Sequence, residues 1–190
     1  MGWASADMLY LSTGTLSPRR TAGNNTRPIN DLAHVAMGAD GRIFVMDSGG
    51  QEVLRLAPNG LLRKVVAEPG RGVDLALDRS GNVYVLDARE RQVLVRNADG
   101  GEVATIPLSD DAARAQSPLA LAVDDAYHVY VLDGKTSDLL ILSNAGRLLA
   151  RLHADPDTAE AVRDPKALAV TSSGALLVYD ARERVVRSFR

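Results

Sequence analysis

The chain has 190 residues and a formal charge of −2, from 22 basic and 24 acidic side chains, with a sequence pI near 5.9. This balance excludes a general nucleic-acid binder, which draws on a surplus of Lys and Arg to displace counterions. The lack of cysteine excludes disulfides, thiolate zinc sites and a thiol nucleophile within the chain, and no apolar run approaches the ~20 residues of a membrane-spanning helix.

Taken in chain order, the first apolar segment is Met8-Leu-Tyr-Leu11, which reads as a lone strand. A polar stretch follows that carries Pro18, Gly23, Asn24, Asn25 and Pro28, and residues 1–30 are expected to form this strand and an arm. From residue 31 onward the chain repeats. Gly41-Arg-Ile-Phe-Val-Met-Asp47, Gly81-Asn-Val-Tyr-Val-Leu-Asp87, Tyr127-His-Val-Tyr-Val-Leu-Asp133 and Gly174-Ala-Leu-Leu-Val-Tyr-Asp180 share one pattern. Their terminal aspartates are 40, 46 and 47 residues apart. A glycine stands thirteen residues after each of the first three, at Gly60, Gly100 and Gly146, and a small-and-aliphatic run such as Leu121-Ala-Val precedes every copy. The units span about 31–70, 71–116, 117–163 and 164–190.

Each unit reads as a meander of four short strands. The Leu-Ala-Val run forms the first, and a Gly-bearing turn leads to the second, which is apolar at nearly every position and so is covered on both faces. Val53-Leu-Arg-Leu56 and Val93-Leu-Val-Arg96 are third strands; Asn59-Gly60 and Asp99-Gly100 are hairpin turns leading to the fourth. Four strands per ~40–45 residues define an all-β protein, a β-propeller built of four-stranded blades. The fourth unit stops after its third strand, and Met8–Leu11 is expected to supply the missing outer strand and close the ring. The connections Ser109–Ser117 and Asp155–Arg163 each offer an Asp cap and an Ala-rich stretch, so each is expected to form a turn or two of helix.

The combination Pro118-Leu-Ala-Leu-Ala-Val-Asp124 with Val129-Tyr-Val-Leu-Asp133, and Val73-Asp-Leu-Ala-Leu-Asp78 with Val83-Tyr-Val-Leu-Asp87, resembles the NHL repeat. The resemblance covers residues from about 31 to the end. It implies NHL-like blades, usually six to a ring, in proteins that serve as binding platforms, lyases or hydrolase-like domains. Tyr127 departs from the pattern in place of the turn glycine, and Thr171 stands where Asp ends the first strand of the fourth unit.

Asp47, Asp87, Asp133 and Asp180 recur at one offset, which marks them as architectural: each carboxylate is expected to accept backbone N–H groups in the loop after the second strand. Arg89, Arg91, Arg182 and Arg184 lie on two such loops and are candidate interaction residues, with neighbouring acids cancelling their charge. His34 and Asp74 sit thirteen residues before their aspartates, where the other units have Ala120 and Ala167, so both belong to innermost strands. A base oriented by a carboxylate is the chemistry such a pair offers. The amidating-lyase relatives implied by the resemblance gather a metal-binding His from several blades, whereas His128 and His153 fall at other offsets here. The chain is therefore expected to hold no metal and no cofactor and to act as a non-catalytic binding or scaffold module with protein partners, an accessory subunit of a larger assembly. The alternative is a lyase or lactonase-like enzyme using His34 and Asp74. The excess of 19 Arg over 3 Lys points to a bacterial source.

Overall fold

The structure, a computed structural model, describes residues 31–38, 40–47, 51–56, 62–109, 113–153 and 162–189. Fifteen strands form four antiparallel sheets. Blade 1 contains β1 (Leu32–Met37), β2 (Ile43–Asp47), β3 (Glu52–Leu56) and β4 (Leu62–Ala67). Blade 2 contains β5 (Gly72–Leu77), β6 (Val83–Asp87), β7 (Gln92–Arg96) and β8 (Glu102–Pro107). Blade 3 contains β9 (Pro118–Val123), β10 (Val129–Asp133), β11 (Leu139–Leu142) and β12 (Leu148–Leu152). Blade 4 has β13 (Pro165–Val170), β14 (Leu176–Asp180) and β15 (Val185–Phe189). Within each blade neighbours in sequence are neighbours in the sheet, which is the meander of a β-propeller.

The first strands lie innermost, with β1 against β5, β5 against β9 and β9 against β13. The sheets stack face to face, and this stacking forms the core. Phe44, Met46 and Val53 of blade 1 meet Leu75, Val83 and Val85 of blade 2. Tyr84, Leu86 and Ile106 of blade 2 meet Leu121, Val129 and Leu140 of blade 3. Ala120, Ala122, Tyr130 and Leu132 of blade 3 receive Leu176 and Val178 of blade 4. The continuous apolar second strands follow from this: β6 and β10 are buried at every position because each has a neighbouring sheet on both faces. In β14 the alternate residues Leu177 and Tyr179 are less covered, since no described blade lies beyond blade 4.

Among the described residues no helix is present. The described end of the first long connection, 113–117, is a turn and bend in which Ala113 and Ala115 plug the core between blades 2 and 3. Those alanines are packing groups rather than a helical surface, which corrects the helical reading over that part. Residues 110–112 and 155–161 of the two expected helical stretches lie outside the described residues, as does Met8–Leu11, while Val162 and Arg163 are not helical. Among the described residues no helix is long and apolar enough to cross a membrane.

The repeated aspartates do more than shape one loop. Asp87 Oδ1 accepts the backbone N–H groups of Arg89 and Glu90 in the loop after β6, and also Arg71 N; its Oδ2 accepts Gly70 N at 2.7 Å. Asp133 holds Gln116, Ser117, Lys135 and Thr136 in the same way. Asp180 holds Arg163, Asp164, Arg182 and Glu183, and Asp47 takes Asp31 N. All four carboxylates are buried. Asp87, Asp133 and Asp180 therefore each fasten the entry to their blade's first strand onto the hairpin between the second and third, and Asp47 holds the corresponding entry residue of blade 1. The residue ending that hairpin is left-handed in all four blades, at Gln51, Arg91, Ser137 and Arg184.

Candidate functional site

His34 and Asp74 come together as their shared offset requires. β1 and β5 are adjacent innermost strands, and His34 Nδ1 lies 3.2 Å from Asp74 Oδ1. The hydrogen bond that His34 donates to Asp74 raises the histidine's pKa above 6.5 and outweighs its partial burial, helped by the carboxylate's charge and the Val73 backbone. The pairing's contribution to stability is thus fully present below pH 6.5 and is lost as pH rises through the folded value. Following the imidazole by NMR should show it titrating above its ordinary value, and Asp74→Asn should bring it back down, because burial then acts without the opposing charge. An unchanged His34 titration in Asp74→Asn would break the pairing.

The aspartate also reaches further than a histidine partner need. Its Oδ1 accepts its neighbour's amide, Leu75 N, at 2.8 Å, and its Oδ2 accepts Leu121 N on β9, also at 2.8 Å. One carboxylate thus links the inner strands of blades 1, 2 and 3. Nothing in the residue pattern could have revealed the last of these contacts, because its donor is a backbone amide.

A second polar constellation sits where the first strand turns into the second. Asp78 Oδ1 accepts Ser80 N and Asn82 N, while its Oδ2 takes Asn82 Nδ2 and the Tyr84 hydroxyl. Asp124 repeats the arrangement with Ala126 N, His128 N, His128 Nδ1 and the Tyr130 hydroxyl. Burial first, and then the adjacent carboxylate, pushes both phenols up to about 12. The same positions in blade 1 hold Gly38 and Phe44, and in blade 4 Thr171 and Leu177. The phenol is present only where the carboxylate is, so these buried tyrosines carry a specific hydrogen bond as well as core packing. Tyr130→Phe should cost about 1 kcal/mol by denaturant titration, the worth of one hydrogen bond, and nearly nothing in an Asp124→Ala background. Equal costs in the two backgrounds would disprove the coupling.

Tyr127 occupies a left-handed position, φ 64°, where Gly41, Gly81 and Gly174 stand in the other blades. A bulky residue is strained there. Its ring lies under the Arg79 guanidinium, 5.3 Å from the centroid, and its hydroxyl meets Arg79 Nε and Ser80 Oγ. The departure from glycine thus supplies a contact between the turns of blades 2 and 3.

On the opposite side, Arg89 and Arg91 belong to blade 2 and Arg182 and Arg184 to blade 4, with the Gly134–Ser137 loop of blade 3 between. Glu183 is engaged by Arg163 and Arg187, and Arg89 lies 3.7 Å from Glu90. The acids that accompany these arginines in sequence do pair with basic groups. At the rim, buried Asp138 accepts Arg151 Nη1 at 3.1 Å and meets His153 Nδ1 at 2.9 Å, while Arg151 Nη2 reaches Arg114 O. Repeat comparison concealed this cluster, because Glu52, Gln92 and Val185 occupy the equivalent position. Among the described residues no group of three or more His, Asp or Glu side chains converges as a metal site would require.

No protein-family model matches the chain, and no curated protein is recognisably similar in sequence. Solved structures are similar in fold. Virginiamycin B lyase from Staphylococcus aureus superposes with a TM-score of 0.61 at 11% identity, over 84% of this chain and 55% of its own. A protein of unknown function from Bacteroides caccae gives 0.63 at 16%, over 84% and 56%. Hydrazine synthase from Kuenenia stuttgartiensis gives 0.61 at 14%, over 84% and 49%. The chain spans about half the length of the structures it matches, and at these identities the likeness establishes the β-propeller fold alone.

Proposed function

We propose that the chain is a non-catalytic binding platform of NHL-like blades, an accessory subunit that engages a protein partner through its loop faces. The observation that carries this reading is the bonding of Asp74. Both of its oxygens accept backbone amides, one of them in the next blade, so the carboxylate serves as an inter-blade fastener and His34 packs onto it. An orienting carboxylate need only hold its imidazole, whereas this one also carries two backbone amides, one of them across the blades. The exposed residues Arg89, Arg182 and Arg184 are the groups of those loops offered to a partner.

The structures that share the fold include a lyase and a protein of unknown function, so fold likeness does not choose between the readings. The test is a pair of measurements on purified protein. Titration with Zn²⁺ by calorimetry should show no stoichiometric site in wild type or His34→Ala. A partner retained by the tagged chain from cells that express it should be lost with Arg182→Glu/Arg184→Glu at unchanged melting temperature. One tightly held divalent ion per chain, absent in His34→Ala, would overturn the platform reading in favour of a lyase-like enzyme.

A further inference from the structure

The loops after the second strands repeat a charge as well as a shape. Two residues beyond the repeated aspartate stand Arg89 in blade 2, Lys135 in blade 3 and Arg182 in blade 4, where blade 1 has Gly49. All three cations are exposed. Each is carried on a fixed point of the main chain, because its own amide donates to the buried carboxylate. Arg89 N reaches Asp87 Oδ1 at 3.0 Å, Lys135 N reaches Asp133 Oδ1 at 2.8 Å, and Arg182 N reaches Asp180 Oδ1 at 3.0 Å. Three consecutive blades thus hold a positive charge at one equivalent place on one face.

The chain itself makes little use of these charges. Lys135 and Arg182 form no ion pair among the described residues, and Arg89 meets only Glu90, at 3.7 Å with both side chains largely in water. Glu183, the acid beside Arg182 in sequence, is taken by Arg163 and Arg187. Asp110, Asp111, Asp155, Asp157 and Glu160 of the long connections lie outside the described residues. Exposed charges of this kind contribute almost nothing to a fold. Held on rigid turns, they meet an anionic ligand at a reduced cost in entropy. The blade stacking sets their spacing. Sheets packed face to face lie about 10 Å apart, so the three cations span about 20 Å. A polyproline-type chain rises about 3.1 Å per residue with three residues per turn, so every third side chain falls on one edge, about 9 Å from the last. An α-helix matches the spacing only at every seventh residue, about 10.5 Å, and needs twice the chain.

We infer that this row of cations binds an extended acidic segment of a protein partner, one carboxylate per blade at every third residue, with Arg89, Lys135 and Arg182 as the three contacts. The inference rests on the platform reading and names the chemistry of the platform's ligand. Arg89 and Arg182 offer guanidinium forks that match a carboxylate bidentately, and Lys135 offers a point charge. A peptide suits the face better than a nucleic acid, because a chain of formal charge −2 lacks the surplus of cations that a polyphosphate requires.

Fluorescence anisotropy with labelled peptides tests the spacing and the place together. At low ionic strength, wild type should bind a nonapeptide that repeats Glu-Pro-Pro about threefold or more tightly than an isomer with its Glu residues placed together, although the two carry the same charge. The binding should fade by about 0.2 M salt as exposed charges are screened. Lys135→Glu should weaken the first peptide roughly fivefold at unchanged melting temperature, and Lys135→Ala should weaken it less. Arg147→Glu makes the same change at an exposed residue after the β11–β12 turn, on the opposite face, and should leave the affinity unaltered. Equal affinity for the two peptides, binding of neither, an equal loss in Lys135→Glu and Arg147→Glu, or tighter binding of a thymidine decanucleotide would each overturn the inference. The platform reading fails separately, through a tightly held metal ion seen by calorimetry, which these peptide titrations do not involve.

Discussion

Asp87→Ala is expected to lower the melting temperature by roughly 5–15 °C, the equivalent of about 2–4 kcal/mol in a domain of this size. The carboxylate is buried and accepts four backbone N–H groups, from Gly70, Arg71, Arg89 and Glu90. Alanine leaves these donors without an acceptor in a site too enclosed for all of them to reach water. It also frees the entry to β5 from the hairpin that follows β6. Asp133→Ala should cost a similar amount, because its carboxylate holds the equivalent four amides. Asn at either position keeps one acceptor oxygen and should fall between. Thermal unfolding followed by circular dichroism decides the matter. An Asp87→Ala protein that melted with the wild type would show the contacts to be incidental.

The same logic predicts a response to acid. Burial opposes ionisation of Asp180, but the amides of Arg163, Glu183, Arg182 and Asp164 outweigh it and hold its pKa below the ordinary carboxylate value. Asp124 is held down likewise, burial being overcome by the His128 amide and ring and the Tyr130 hydroxyl. A depressed folded pKa contributes stability above the unfolded value near 4. That contribution disappears as pH falls through the folded value.

What the residue pattern revealed and what it concealed divide along a physical line. The blades were legible because a four-strand unit must solve the same packing and turn problems each time, so Asp47, Asp87, Asp133 and Asp180 recur at one offset. Their loop role was legible for the same reason. Their grip on the segment before the first strand was not, since the donors are main-chain amides in residues as different as Gly70, Ser117 and Arg163. The adjacency of His34 and Asp74 followed from equal offsets on neighbouring inner strands. The number of blades in the ring did not follow, because curvature depends on how sheets pack face to face. The exposure of Val35 and Tyr179, whose counterparts in the other blades are buried, is likewise absent from the residue pattern. Asp138 was invisible to repeat comparison because the equivalent positions hold Glu52, Gln92 and Val185, while in blade 3 the aspartate meets Arg151 and His153.

Asp74→Ala should destabilise the fold by about 2 kcal/mol or more, whereas His34→Ala should stay within about 0.5 kcal/mol of wild type. The asymmetry comes from what each side chain holds. His34 is partly exposed and makes one contact with the carboxylate, so its loss returns a half-solvated group to water. Asp74 is more buried and serves Leu75 N and Leu121 N besides the imidazole. Its removal leaves the Leu121 amide unpaired on an innermost strand and unlinks blade 2 from blade 3. Asp74→Asn retains an acceptor for one amide and should recover part of the loss while abolishing the raised titration of His34. A catalytic dyad would behave in the opposite way: both alanine variants would fold normally and both would lose turnover. Chemical denaturation of the three variants, read beside the His34 titration, separates the two roles. A thermodynamically silent Asp74→Ala would end the account of this carboxylate as an inter-blade fastener.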